Sequence, residues 1–481
     1  MKVKNKKQNI YLIGIKGVGM TMLAQFLREK GNKLSGSDIA DTFMTDRVLK
    51  KEKIKVFSPF STKNIPDKLD LIIHSSAYTE QNNIELALIK NNPGRFKNIP
   101  ILSYANALGS VFNDYCGVAV CGSHGKTTTS AWLGYVLDKA GKSPSVLVGS
   151  RVPQFGGSSL LGKSKYFVAE VDEYQNKLQY FKPFGVVLNN IEFDHPDFFK
   201  DQASYTKVFA DFVKKIPREG FLVVNNSDGE ISKIKKYCRA QIITYDVAGG
   251  GGTVATVNYL AHNLKIKNGY QYFSVNNLGE FKISLWGKHN VFNALAVIAS
   301  ARALKVSTSL IKKHLTGFKG TERRAQILGK YKGALIIDDY AHHPTEVKAT
   351  LEGIRAREVN KNLITVFHPH TFTRTKALFK DFVSSFSLTN ELIILDIYGS
   401  AREKQGGVSS KELVEKIKEY NELHKIKTDV KSIATIPQAT EYLRDKLNAH
   451  DTLLLMGAGD VFRVGVDLLA KKNKKNHGQK K

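Results

Sequence analysis

The sequence predicts an α/β protein of several domains, and three observations carry that prediction. Short apolar strands alternate with helical patterns, the signature of parallel sheets flanked by helices. The rhythm restarts three times: at IYLIGIKGVGM (10–20), at GVAVCGSHGKTTT (117–129) and at GALIIDDYAHHP (333–344), the last followed by NLITVF (362–367) and TLLLMGAGD (452–460). At 481 residues the chain is too long for one hydrophobic core, and roughly two to four domains follow from size alone. Boundaries near 115 and 320 divide it into 1–115, 116–319 and 320–481. A β-rich stretch from IITYDV to FKISLW lies between the second and third starts, with a Gly-rich turn, AGGGG, at 248–252.

Composition narrows the class. Hydrophobic content of 42% and charged content of 24% are ordinary for a soluble protein. No apolar run approaches the ~20 residues of a membrane-spanning helix, so no integral membrane association is expected. MKVKNKKQN is basic but lacks a following signal-type segment. Three cysteines (Cys116, Cys121, Cys238) form no CxxC pair, which argues for a reducing, cytoplasmic setting and against a disulfide framework or zinc site. The net charge of +28 suggests nucleic acid at first. The basic residues form no single stripe and lack interleaved aromatics, so no nucleic-acid partner is expected, and the charge is read as steering anionic substrates. The dense cluster KKNKKNHGQKK (471–481) reads as a disordered end.

The first glycine loop resembles the dinucleotide fingerprint GxGxxG without meeting it. Gly14 and Gly19 fit the first and third glycines, but Lys16 occupies the second, where a dinucleotide enzyme needs a bare backbone. Asp38 lies about 20 residues on, where a ribose-binding acid belongs. The ribose half survives and the pyrophosphate half is altered, which weakens an NAD-dependent oxidoreductase. Gly17, Val18 and Gly19 instead offer a GxG turn at a helix start.

The second loop, CGSHGKTTTS (121–130), is the strongest signal. Gly122 and Gly125 allow a tight turn that points N–H groups at phosphate oxygens, and the following helix adds its positive end. Lys126 can reach terminal phosphates, and the Thr127 hydroxyl can ligate Mg²⁺. The pattern GxxxxGK[ST] is varied, since its first glycine would fall at Val120. Further on, FVAEVDEYQ (167–175) ends in Glu170, Asp172 and Glu173. FGVVLNNIEFDHPDFF (184–199) ends in Asn190, Glu192, Asp194 and His195. Both are strand ends, where parallel sheets bind ligands, and hard oxygen donors there suit Mg²⁺.

Together these residues resemble the Mur ligase family, ATP-dependent amide-forming enzymes of peptidoglycan synthesis, over nearly the whole chain. GSHGKTTT resembles the family's ATP loop, and VDEY and NNIEFDH its Mg²⁺-binding strands. WGKHNVFNALAVIA (286–299) is similar to its asparagine-bearing helix, TERRAQILG (321–329) to its hinge, and IIDDYAHHPTEV (336–347) to the start of its C-terminal domain. The resemblance implies an N-terminal Rossmann-like UDP-binding domain, a central P-loop ATPase-type α/β domain and a C-terminal Rossmann-like α/β domain. It implies ATP contacts at Gly122, Ser123, His124, Gly125, Lys126, Thr127, Thr128, Asn290, Asn293, Arg324 and Asp339. Metal ligands would be Thr127, Glu173 and His195, and the catalytic set Lys126, Glu173, His195 and Arg324.

Within the family, GIKGVGM with SGSD (35–38) is similar to the domain that holds a UDP-sugar, which implies contacts at Gly17, Val18, Gly19, Met20, Ser37, Asp38, Ser75, Ser76 and His124. Lys16 stands where glycine is usual and is expected near the UDP diphosphate. VFHPHTFTRT (366–375) resembles the amino-acid site of the branch that adds L-alanine to UDP-N-acetylmuramate, which implies His343, His370 and Arg374. Thr371 stands where an arginine is usual, and DIYGSAREK (396–404) is similar to another segment of that branch. DEYQNK and NNIEFDHPDFF lean instead towards the branch that attaches L-Ala-γ-D-Glu-meso-diaminopimelate to the same sugar. The expected partners are thus UDP-N-acetylmuramate, L-alanine and ATP, with Mg²⁺, in a monomer or homodimer.

Overall fold

The computed structural model describes residues 7–43, 45–249, 257–399, 403 and 405–475. Among them three sheets form, in chain order. The first is wholly parallel, in the order Lys55–Phe57, Lys33–Ser37, Asn9–Ile13, Leu71–His74, Ile101–Ser103. Its centre, Asn9–Ile13, is apolar and buried after the first residue, as a strand covered on both faces must be. Helix Val18–Glu29 follows and is buried from Met20 to Leu27, lying between this sheet and the strands Ser145–Val152 and Gly157–Leu160 of the second.

The second sheet has Cys116–Cys121 near its middle, flanked by Gly185–Leu188 and Tyr166–Glu170 in parallel register. Phe221–Asn225, Gln241–Val247 and Tyr259–Lys267 extend it in parallel on one side. The β-rich stretch is there an antiparallel meander, Tyr259–Lys267, Tyr270–Val275 and Gly279–Ile283. Of the AGGGG turn, Gly250, Gly251 and Gly252 lie outside the described residues. Helices Lys126–Lys139 and Lys288–Ala303 pack on one face in a shared apolar core with Trp132 and Phe318. Helix Lys288–Ala303 is buried almost all round, which is why it shows no amphipathic stripe.

The third sheet runs Gln326–Tyr331, Ala334–Asp339, Asp451–Met456, Asn362–Phe367, Glu391–Ile394, Asp429–Ser432, with only its first strand antiparallel. The basic run does not begin as a loose end: the last helix, Phe462–Lys475, includes residues 471–475, and 476–481 lie outside the described residues. Ser400, Ala401, Arg402 and Lys404 also lie outside them. No helix among the described residues is long and apolar enough to cross a membrane.

Candidate active site

The second glycine loop joins strand Cys116–Cys121 to helix Lys126–Lys139. Gly122 and Gly125 sit at φ 120° and 78°, conformations that side-chain-bearing residues rarely adopt. A Cβ on Gly122 would also meet the Asn190 carbonyl at 2.7 Å. The loop is held from the neighbouring strand end. His124 donates its N–H to Asn190 Oδ1 at 2.8 Å, and Asn189 and Asn190 donate to the His124 carbonyl. Ser123 Oγ meets the Glu192 carbonyl at 2.6 Å and Tyr205 OH at 2.9 Å, so its hydroxyl faces protein. Lys126 folds back, donating to the carbonyls of Gly122 (2.5 Å) and Ser123 (3.1 Å), with Glu173 3.5 Å away. Burial would lower the lysine, but Glu173, Asp172 and Glu170 reverse this and hold the ammonium charged.

The acids meet beside it. Thr127 Oγ donates to Glu170 at 2.8 Å, and Glu170 also accepts the Gly149 N–H. Glu173, fully buried, accepts from Tyr205 OH at 2.9 Å and lies 3.6 Å from His195 Nε2. Asp172, Glu173 and His195 offer ligand atoms within 4.8 Å of one another. This set of two carboxylates and an imidazole fits a divalent cation, with the Thr127 hydroxyl nearby but turned to Glu170. His195 holds this place with a left-handed backbone, φ 57°.

Two clefts open here. One, of about 520 Å³, is lined by His124, Gly125, Thr128, Asn290, Asn293, Arg324 and Asp339. Buried His289 Nδ1 and Thr321 Oγ on its wall have no protein partner, and such groups want a polar ligand. The other, of about 850 Å³, is lined by Lys16, Gly17, Val18, Lys126, Thr127, His195, Arg323, Arg324 and Tyr398. Gly125, Glu322, Arg324 and Glu346 belong to both. Asp339 serves its wall through the backbone, accepting the N–H groups of Ala325 (2.6 Å) and Ala341 (2.8 Å). Asn290 and Asn293 are linked at 3.0 Å, and Thr129 donates to Asn293 at 3.2 Å.

The three domains touch around these clefts. His124 lies between Glu192 (3.0 Å) and Glu346 of the C-terminal domain (3.2 Å). Burial would lower its pKa, but these two carboxylates push it up to about 9. Arg374 sends Nε and Nη2 to Asp194 Oδ1, both at 3.0 Å. Glu322 pairs with Arg47 at 2.9 Å and Arg151 at 2.7 Å.

Several expected contacts are placed differently. Met20 packs into the apolar core through its side chain, because it falls on the buried stripe of its helix. Ser37 turns inward, its hydroxyl on buried Glu85; its carbonyl receives the N–H groups of Gly14 and Ile15. Asp38 is buried and accepts the N–H groups of Lys16 (2.7 Å) and Ile39 (2.8 Å), which shapes the glycine loop. Gly19 makes room for Tyr104, whose ring a Cβ would meet at 2.9 Å. Ser75 Oγ accepts from Ala77 N–H, and neither Ser75 nor Ser76 lines the clefts. Lys16 stands at the larger cleft, yet its ammonium is bound to the carbonyls of Ile39 (2.9 Å) and Asp41 (2.8 Å). His343 caps helix Pro344–Arg357 and burial lowers its pKa to about 4. His370 stacks on Tyr398 and is likewise lowered, to about 3, mainly by burial. Glu346 and Tyr205 escaped the sequence reading: an acid in a first helical turn is ordinary, and nothing local marks that tyrosine.

Two clefts that share a wall, with a phosphate-type loop forming part of it, define a class: enzymes that pass a phosphoryl group from a nucleotide to an acceptor. Residues 9–115 match the Mur ligase family catalytic domain, 120–301 the Mur ligase middle domain and 323–459 the Mur ligase glutamate ligase domain. The chain belongs to the Mur ligase family. It is 35% identical over 479 residues to a UDP-N-acetylmuramate–L-alanine ligase of Alkaliphilus metalliredigens, covering 98% of both chains. It is 37% identical to one of Clostridium kluyveri, covering 96% of this chain and 98% of the relative. In fold it matches the UDP-N-acetylmuramate-alanine ligase of Thermotoga maritima with a TM-score of 0.79, covering 97% and 100% of the two chains at 23% identity. A murein peptide ligase of Psychrobacter arcticus follows at 0.71, covering 96% and 98% at 22%.

Proposed function

We propose that this enzyme joins the lactyl carboxylate of UDP-N-acetylmuramate to L-alanine, consuming ATP, as a step of cytoplasmic peptidoglycan precursor synthesis. The observation that carries this is the shared wall: Gly125 and Arg324 border both clefts, so a phosphoryl group can cross from one ligand to the other. The relatives named above supply the substrate assignment. The division 1–115, 116–319 and 320–481 then gives one domain each to the UDP-sugar, ATP and the amino acid. The tripeptide-adding alternative corresponds to the murein peptide ligase, a fold match with the lower TM-score.

A carboxylate resists an amine because it is already anionic, and phosphorylation removes that charge. The lactyl oxygen attacks the γ-phosphorus, the bond to the β-phosphate oxygen breaks, and ADP leaves. Lys126 and Arg324 neutralise charge on the transferring group. Mg²⁺, held by Thr127, Glu173 and His195, supplies further charge neutralisation when bound. The alanine amino group, as the free amine, then adds to the acyl carbon, and the tetrahedral intermediate expels phosphate, which carries away the proton the nitrogen loses; Arg324, on the wall of both clefts, faces the oxyanion charge. The cross-domain contacts of Arg374 and Glu322 hold the clefts shut against water that would hydrolyse the acyl phosphate.

The route is tested with ¹⁸O in the lactyl carboxylate. One labelled oxygen is expected in the phosphate released; unlabelled phosphate would exclude an acyl phosphate.

A further inference from the structure

Glu346 is the third residue of helix Pro344–Arg357, in the C-terminal domain, and its side chain is 10% exposed. One oxygen lies 3.2 Å from His124 Nδ1 of the glycine loop and 3.6 Å from Arg324 Nη1. The other accepts the His342 backbone N–H at 3.1 Å and lies 3.2 Å from His342 Nδ1. Burial alone would neutralise the carboxyl, but His342 and His124 hold it well below the usual carboxylate range. Glu346 and Arg324 stand together in the wall between the clefts, where the phosphoryl group must pass. A carboxylate and a phosphoryl group make the same demand, several cationic donors converging on anionic oxygens. The donors around Glu346 therefore form an anion site that the protein fills with its own side chain.

We infer that Glu346 is a placeholder for the terminal phosphate of the nucleotide, closing the transfer gap in the nucleotide-free enzyme and surrendering Arg324 when the phosphate arrives. This rests on reading loop 121–130 as the nucleotide site. Glu346 is a positioning residue: it forms no bond to substrate. Before ATP binds it docks the C-terminal domain on the loop and holds Arg324 across the gap. After ATP binds it keeps His124 and His342 oriented. The arrangement costs ATP affinity, because the phosphate must displace a carboxylate from Arg324 and settle near a like charge.

Calorimetric titration of the full chain with Mg²⁺-AMP-PNP and with AMP, in wild type and Glu346→Gln, tests it. Removing the competing charge is expected to tighten AMP-PNP binding about threefold or more, leave AMP binding unchanged, and lower kcat about tenfold as His124 and His342 lose their anchor. Unchanged or weaker AMP-PNP binding overturns the inference, and so does a parallel change for both nucleotides, which marks a merely structural residue. A wild type that binds neither nucleotide removes the nucleotide reading itself. Should the variant not fold, histidine side-chain NMR of the wild type decides: the His124 and His342 ring signals are expected to move with AMP-PNP and not with AMP. Signals that stay fixed under saturating AMP-PNP overturn the proposal.

Discussion

Replacing Arg374 by methionine separates two roles for this residue. The sequence resemblance implied an amino-acid contact, whereas the structure spends both nitrogens of one guanidinium edge on Asp194 of the central domain, at 3.0 Å each. The two side chains are 7% and 8% exposed. Burial would raise Asp194, yet Arg374 with His195, His342 and His343 around it holds the carboxyl far below its usual range. Removing one partner of such a pair strands the other charge, at a cost of ~3–5 kcal/mol. The His195 backbone N–H, which Asp194 also accepts at 2.7 Å, softens the loss, so the lower end, about 3 kcal/mol, applies. At about 1.4 kcal/mol per tenfold, the closed arrangement should lose roughly a hundredfold in population. X-ray scattering of the nucleotide-free chain should show a larger radius of gyration, and kcat should fall for every substrate alike. Arg374→Met with Asp194→Asn should be closer to wild type than Arg374→Met alone, because the stranded charge is gone. An unchanged scattering curve, with a rise confined to the KM for L-alanine, would refute the clamp and restore the amino-acid contact.

Other residues yield further expectations. Because His124 is raised from 6.5 to about 9, its protonated ring stabilises the folded state fully below pH 6.5 and loses that contribution as pH climbs through 9. The stability advantage of wild type over His124→Asn, on the order of 2 kcal/mol at low pH and read as a difference in Tm, should shrink across that window; an advantage that grows with pH would contradict it. Lys16→Gly frees the carbonyls of Ile39 and Asp41 and should raise the KM for the UDP-sugar severalfold, equally at low and high salt. An effect that vanishes at high salt would instead mean a direct contact with the diphosphate. Lys126→Ala should cost about a hundredfold or more in kcat, and full turnover in that variant would remove Lys126 from the mechanism.

The fold was largely legible in sequence. Each of the three strand–helix restarts became a strand with a parallel neighbour, at the centre of the first sheet, inside the second and next to the edge of the third, since apolar strands covered on both faces leave a plain pattern. In the second loop, Gly122, Gly125, Lys126 and Thr127 sit where strand, loop and helix place them, because the chemistry is local. Glu173 and His195 followed from two strand ends that lie on either side of Cys116–Cys121 in the sheet. What escaped was non-local or depended on which way a side chain turns. Arg374 meets Asp194 across 180 residues and His124 meets Glu346 across 222, pairings that arise only from domain closure. Ser37 ends a strand at the ligand edge, yet its hydroxyl turns to Glu85, a partner 48 residues away. Lys16 presented itself as a free cation beside a glycine turn, but the backbone carbonyls of Ile39 and Asp41 supply its acceptors. The helical start of 471–481 was hidden because lysines suit a solvated helix as well as a loose end.

The central claim is an amide bond between UDP-N-acetylmuramate and L-alanine. The most direct measurement is phosphate release from ATP with UDP-N-acetylmuramate plus L-alanine, beside the same sugar plus L-Ala-γ-D-Glu-meso-diaminopimelate. Release that depends on L-alanine is the predicted result. Release with the tripeptide alone would contradict it.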